Sequence, residues 1–143
     1  MKLKVKKLNP EARIPGYAHE GDSGMDLYSV ENTTIEPGER KTVKTGLAIS
    51  LPKGFEAQVR PKSGLASNSG ITVLNTPGTV DSCYRGEIMV IMANLGKQPY
   101  KVEKGKKIAQ MVIARVEEAE VEETDKLDET TRSDGGFGST GQQ

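Results

Sequence analysis

Turn-forming residues punctuate this chain too regularly for a helical or parallel α/β fold. Pro15-Gly16, Pro37-Gly38, Pro52-Lys53-Gly54, Pro77-Gly78 and Lys104-Gly105 break it into short pieces. The breaks fall 15 to 27 residues apart and leave only short segments between them, as in a β-sandwich or barrel. Between them Val, Ile and Thr alternate with polar residues in Lys2–Lys6, Lys41–Thr45, Glu56–Arg60 and Glu87–Ala93. Alternation sends successive side chains to opposite faces, so each piece predicts a strand with one buried face. Ile71–Leu74 is the exception, a short apolar run that suits a strand buried on both faces. Ile108, Val112 and Ile113 fit a helical turn or a buried strand. The turn at Lys104-Gly105 and the Val116 that follows favour the strand. The predicted fold class is all-β.

The chain has 143 residues, enough for one domain, but aromatics make up only 4% and Trp is absent. Its core must rest on aliphatic side chains, and a subunit interface is a natural supplement at this size. Twenty basic and 20 acidic residues cancel, so the charge balance points to neither nucleic acid nor membrane as partner. Cys83 is the only cysteine, which excludes an internal disulfide and thiolate metal clusters. The chain has no apolar run long enough for a bilayer and no apolar signal region at its start, so the expected location is cytoplasmic.

Apolar periodicity stops near Val121, dividing a body of residues 1–121 from a tail of residues 122–143. The tail is acidic and then glycine-rich, the composition of a disordered segment. Phe137 stands against that reading, because a linker has no use for an aromatic among glycines. A segment that folds over a ligand does.

Four stretches carry candidate chemistry. Asp22 to Leu27 reads as a turn, or as the place where Asp26 brings a carboxylate near a metal or phosphate. Arg60 to Ala66 reads as a turn after a strand, or as a phosphate cradle built from Lys62, Ser63 and the backbone at Gly64. It is not a Walker A loop. Asn75 to Gly86 reads as a decorated hairpin, or as a backbone surface for a planar base. Asp81 and Tyr84 are an odd number of residues apart, so a site that uses both needs a turn between them. In the tail, Arg132, Ser139, Thr140 and glycine amides suit a triphosphate. His19 is the only histidine and reads as a surface loop residue. One His and one Cys leave neither a zinc site nor a nucleophilic triad.

These stretches, taken in order with Gly105-Lys106-Lys107-Ile108-Ala109-Gln110, resemble the five ordered motifs of the trimeric dUTP pyrophosphatases, from about Gly21 to Gly141. The resemblance implies a distorted β jelly roll and a homotrimer with sites at subunit interfaces. It implies magnesium-dependent hydrolysis of dUTP to dUMP and pyrophosphate, which limits uracil in DNA and supplies dUMP for dTMP synthesis. Asp81 matches the residue that activates the water, and Tyr84 the aromatic under the deoxyribose. Asn75, Thr79 and Val80 match the uracil contacts, with Met89 a further base-side match. Lys62, Ser63, Gly64 and Gln110 match phosphate contacts. Arg132, Phe137, Gly138, Ser139 and Thr140 match a mobile arm, with Phe137 over the base. Asp26 matches a carboxylate near the waters of a magnesium ion carried by the triphosphate.

Two positions depart from the family pattern. Lys62 stands where Arg is usual, which exchanges a planar fork for a point charge. Cys83 stands where many members have an acidic residue or Gly. Two rivals share the pattern. A dCTP deaminase of the same fold would carry Glu where this chain has Arg85, and Arg cannot shuttle protons. A non-catalytic nucleotide-binding module would have no need of Asp81, Tyr84 and Arg132 together.

Overall fold

The computed structural model describes residues 1–141; Gln142 and Gln143, the end of the expected arm, lie outside the described residues. In chain order the strands are β1 (Lys4–Lys7), β2 (Gly24–Tyr28), β3 (Thr33–Ile35), β4 (Arg40–Ser50) and β5 (Phe55–Arg60). A helix α1 (Ser63–Ser69) follows, then β6 (Ile71–Val73), β7 (Gly78–Val80), β8 (Ile88–Asn94), β9 (Tyr100–Val102) and β10 (Lys107–Arg115). One sheet has the order β1-β4-β8-β6, a second β2-β10-β5-β7, and β3 pairs with β9 alone. The pairings are antiparallel. This is an all-β, jelly-roll-like fold.

The two four-stranded sheets share one aliphatic core. Val43 and Ile49 of β4 and Ile88, Val90 and Met92 of β8 meet Leu27 of β2, Val59 of β5 and Met111 of β10. Each such side chain, once fully buried, contributes roughly 1.5–3 kcal/mol. Aliphatic packing therefore does here what the scarce aromatics cannot. The alternation expected in the sequence is visible in β8, where Ile88, Val90 and Met92 are buried and Met89 is exposed. The predicted strand at residues 41–45 is the front half of a longer one. β4 runs on to Ser50 because a bulge between Lys44 and Leu47 resets its register against β8.

Three local expectations are refined. Ile71–Leu74 is not buried on both faces: Ile71 and Val73 are buried, Thr72 is half-buried and Leu74 exposed. It is an edge strand paired only with β8. Lys107–Arg115 is a strand, as the turn signal favoured. The stretch after β5 forms helix α1 rather than a simple turn. Leu65 and Ala66 are good helix formers, and Gly70 ends the helix in a left-handed conformation (φ 67°) with its N–H donating to Ala66 O and Leu65 O. Gly70 also lies against the backbone of Gly96; an added Cβ would come within 2.6 Å of Gly96 N. Buried Asn94 holds the same corner. Its amide donates to Ile35 O at 2.9 Å and Gln98 O at 2.8 Å, and its carbonyl accepts from Gly96 N–H at 2.9 Å.

The chain leaves the body just after β10. Val116 N–H donates to Gly54 O at 2.9 Å, and Lys53 pairs with Glu118 at 3.6 Å. Beyond Glu118 the described residues make hydrogen bonds only among themselves, in local turns such as Arg132 Nε–H to Gly135 O at 2.8 Å. Phe137 is fully exposed, with φ near 50°.

Candidate active site

Two groups of the candidate residues form on one chain. The first surrounds a cavity of about 220 Å³ between the end of β7 and the start of β8. Thr79, Val80, Asp81, Tyr84 and Met89 line it together with Glu87 and Ile88. β7 ends at Val80, and a turn closed by Tyr84 N–H to Asp81 O at 3.1 Å follows. That turn is what an odd spacing requires, and it brings Asp81 and Tyr84 to one cavity. The Tyr84 hydroxyl donates to Glu87 O at 2.9 Å. Its ring lies so close to Gly86 that an added Cβ there would meet ring carbon Cζ at 2.6 Å. Only glycine lets the ring fold back to the cavity wall. Glu87 in turn accepts from Gly46 N–H at 3.0 Å, which ties the hairpin to the β4 bulge. Asn75 lies outside this lining, exposed in the turn before β7.

Asp81 also borders a second hollow of about 420 Å³, with Cys83, Phe55 and Glu117 among its lining. Cys83 is a free, exposed thiol. Asp81 thus stands at the lip between two hollows, open to solvent.

The second group is built on the outer face of the β2-β10-β5 sheet. Gln110 of β10 is in register with Asp26 on one side and Arg60 on the other. Residues opposite one another share a face. The chain leaves β5 at Arg60 and turns over this face through Pro61 and Lys62. Gln110 Nε2–H donates to Pro61 O at 2.9 Å and fixes that crossing. Lys62 Nζ then reaches Asp26 Oδ1 at 2.5 Å. A bulge between Lys107 and Ala109 lets Lys107 Nζ reach Asp26 Oδ2 at 2.8 Å.

Asp26 is therefore a nearly buried carboxylate, its side chain 7% exposed, with one ammonium on each oxygen. Burial pushes its pKa up, but hydrogen bonds and charge from Lys107 and Lys62 outweigh burial and hold it below the ordinary value. The same contact raises Lys107 above the ordinary lysine value. Lys62, Gly64, Lys106 and Lys107 line a cavity of about 490 Å³ beside α1. Ser63 opens that helix and is exposed. This cavity and the one at Tyr84 share no lining residue. Arg132, Phe137, Gly138, Ser139 and Thr140 sit with the exposed tail and join neither group.

No group of three or more His, Cys, Asp or Glu among the described residues is arranged to hold a metal ion. Among the described residues no helix is long and apolar enough to cross a membrane.

The Asp26 contacts set an expected pH signature. A carboxylate held below its ordinary pKa adds stability above that ordinary value, near 3.9, and loses it as pH falls through the lower folded value. A lysine held above its ordinary value adds stability below about pH 10.4 and loses it as pH climbs through the raised value. Asp26→Asn should lower the melting temperature by several degrees between about pH 5 and pH 9, with the gap closing below about pH 4. Thermal melts across that range check this; a gap that persists at strongly acid pH would contradict it.

Fold and site define a jelly-roll-like protein with a carboxylate at the lip of a small pocket and, apart from it, a cavity lined by ammonium groups. A family model described as dUTPase matches residues 10–141. The chain belongs to the dUTPase family. It is 61% identical over 141 residues to a deoxyuridine 5'-triphosphate nucleotidohydrolase of Clostridium novyi (strain NT), covering 99% of each chain. It is also 61% identical to the protein of that name from Gloeothece citriformis (strain PCC 7424), covering 99% of this chain and 97% of the relative. Among solved structures, the dUTPase of Staphylococcus bacteriophage 80alpha with dUpNHpp superposes with a TM-score of 0.92 at 27% identity, covering 98% of each chain. A dUTPase of phage phi11 of S. aureus, whose structure describes a structural Mg(II) ion, superposes at 0.83 with 24% identity, covering 89% of this chain and 99% of that one.

Sequence reasoning missed one participant. Lys107 was read only as part of an ordered motif, yet it is one of two lysines on Asp26. The only sequence signal was the pair Lys106-Lys107 directly after the Gly105 turn.

Proposed function

We propose that this chain hydrolyses dUTP to dUMP and pyrophosphate by attack of water on the α-phosphorus, and that Asp81 orients the water. The observation that carries the reading is Asp81 at the mouth of the pocket walled by Thr79, Val80, Tyr84 and Met89. A base seated against the β7 backbone, with its sugar on Tyr84, leaves the first phosphate at that mouth. Membership of the dUTPase family and the names of its relatives support the substrate.

Asp is a weak base, so most of its effect comes from placing the water in line with the leaving pyrophosphate. Magnesium bound to the phosphates withdraws their negative charge. Lys62, Ser63, the Gly64 backbone and Gln110 take the phosphate side. Each Asp26 oxygen accepts from one lysine and keeps a lone pair with which to meet magnesium's waters. Backbone groups at Thr79 and Val80 read uracil, joined by Asn75 and Met89, and Tyr84 crowds out a 2′-hydroxyl. The separation of base pocket and cationic cavity on one chain supports a homotrimer with sites shared between subunits. Residues 122–143 are the arm that closes the site, with Phe137 over the base and Arg132, Gly138, Ser139 and Thr140 at the phosphate end.

Arg85 speaks against deamination of dCTP. Its guanidinium donates to Ser82 O at 2.6 Å and Tyr84 O at 2.9 Å, so it braces the turn. Pyrophosphate release from dUTP, UTP, dCTP and dTTP tests the reading. The expected result is turnover of dUTP alone, and ammonia from dCTP would overturn it. Phe137→Trp introduces the only tryptophan. Its fluorescence should shift when a non-hydrolysable dUTP analogue binds, and a flat titration would remove Phe137 from the base.

A further inference from the structure

The carboxylate of Asp26 faces away from solvent, and both its oxygens are taken by lysines whose Nζ atoms sit at 2.5 and 2.8 Å. An ammonium has three N–H donors and needs only one for such a contact. Lys62 and Lys107 therefore keep donors free, and both line the 490 Å³ cavity beside α1. Lys106 lines it too, its Nζ 4.5 Å above the centre of the Tyr100 ring. No carboxylate is among the lining residues, so three ammonium groups meet there against the single buried negative charge of Asp26. Such a concave, one-signed lining concentrates anions. Tyr100 is 8% exposed, lines the same cavity, and among the described residues its hydroxyl has no hydrogen-bond partner.

A single ammonium is a point charge without direction. Two ammoniums pinned to the two oxygens of one carboxylate form a pair of fixed spacing. Such a pair can grip two phosphate oxygens at once, as an arginine fork does. We propose that Lys107 is a phosphate-binding residue alongside Lys62, and that Asp26 is the positioning residue that aims both at the nucleotide's terminal phosphates. This rests on the dUTP reading above and gives Asp26 a role other than holding magnesium's waters.

The test uses Lys107→Gln, Lys107→Arg, Asp26→Asn and the double variant Asp26→Asn/Lys107→Gln in the full chain. Lys107→Gln should raise KM for dUTP roughly tenfold, about 1.4 kcal/mol, with kcat nearly unchanged. Inhibition by dUMP, which lacks the terminal phosphates, should not move. Lys107→Arg should restore KM to near wild type. Asp26→Asn should raise KM in the same way without shifting the magnesium concentration for half-maximal rate, and the double variant should be no worse than Asp26→Asn alone. Calorimetric titration of inorganic pyrophosphate gives a readout independent of turnover, with binding about tenfold weaker in Lys107→Gln. Unchanged KM and unchanged pyrophosphate affinity in Lys107→Gln would overturn the proposal, even if Asp26→Asn fails to fold. So would a magnesium requirement shifted by Asp26→Asn and multiplicative with Lys107→Gln. A wild-type protein inert toward dUTP would sink the functional reading instead, and the pyrophosphate titration would still decide this one.

Discussion

Asp81→Asn should reduce dUTP turnover by about a hundredfold to ten-thousandfold, the usual range for a lost general base, while a non-hydrolysable dUTP analogue binds as well as before. The reason lies in where Asp81 sits. It is the first residue after β7, exposed at the lip of a pocket that Val80 and Tyr84 wall without it. Asn keeps the shape but puts an NH2 donor in place of one acceptor oxygen, so it neither holds the attacking water in line as the carboxylate does nor carries the charge that draws its proton. Binding contacts to base and sugar come from neighbours whose positions the substitution leaves alone. The turn is held by Tyr84 N–H on the backbone carbonyl of Asp81, not on its side chain, so the hairpin should survive. Pyrophosphate release gives the rate and calorimetry the affinity. A variant that keeps more than about a tenth of wild-type turnover would remove Asp81 from the chemistry.

The strands were legible because their information is local. Alternation in residues 87–93 and the turns at Pro37-Gly38 and Lys104-Gly105 are visible within a few residues, and β4, β8 and β10 lie where they point. Helix α1 was not legible. It is seven residues long, has no buried side chain, and lacks a side-chain cap at Lys62. Its only clear signal is Gly70, where a left-handed φ and contact with Gly96 far along the chain both require glycine. The site divides in the same way. Asp81 and Tyr84 lie in one turn, so the sequence could state the geometry that would unite them. Asp26, Lys62 and Lys107 come from β2, from the crossing after β5 and from the start of β10. Their meeting depends on strand order and on the bulge at Lys107, neither of which is written in any one stretch of residues.

Removing Arg132 to Gln143 should leave folding and assembly intact yet cut dUTP turnover by at least about a hundredfold, the scale on which misplaced groups lose rate. The body does not depend on this segment. Its core lies in β1 to β10, and the last ties between body and tail among the described residues are at Val116 and Glu118. Melting temperature and sedimentation should therefore match the full chain. Ser133 and Phe137 adopt left-handed backbone angles, and Arg132 closes a turn on Gly135. Phe137 is left wholly in water. A bare aromatic costs free energy unless a surface covers it, and a nucleotide base provides one. If the arm binds in that way, ordering it excludes water from the reacting phosphate and brings Arg132 to the far end. The truncated protein should then show a rate that no excess of dUTP restores, because the missing contacts act after substrate has bound. A truncated chain with a normal rate at saturating dUTP would mean that the body alone completes the site.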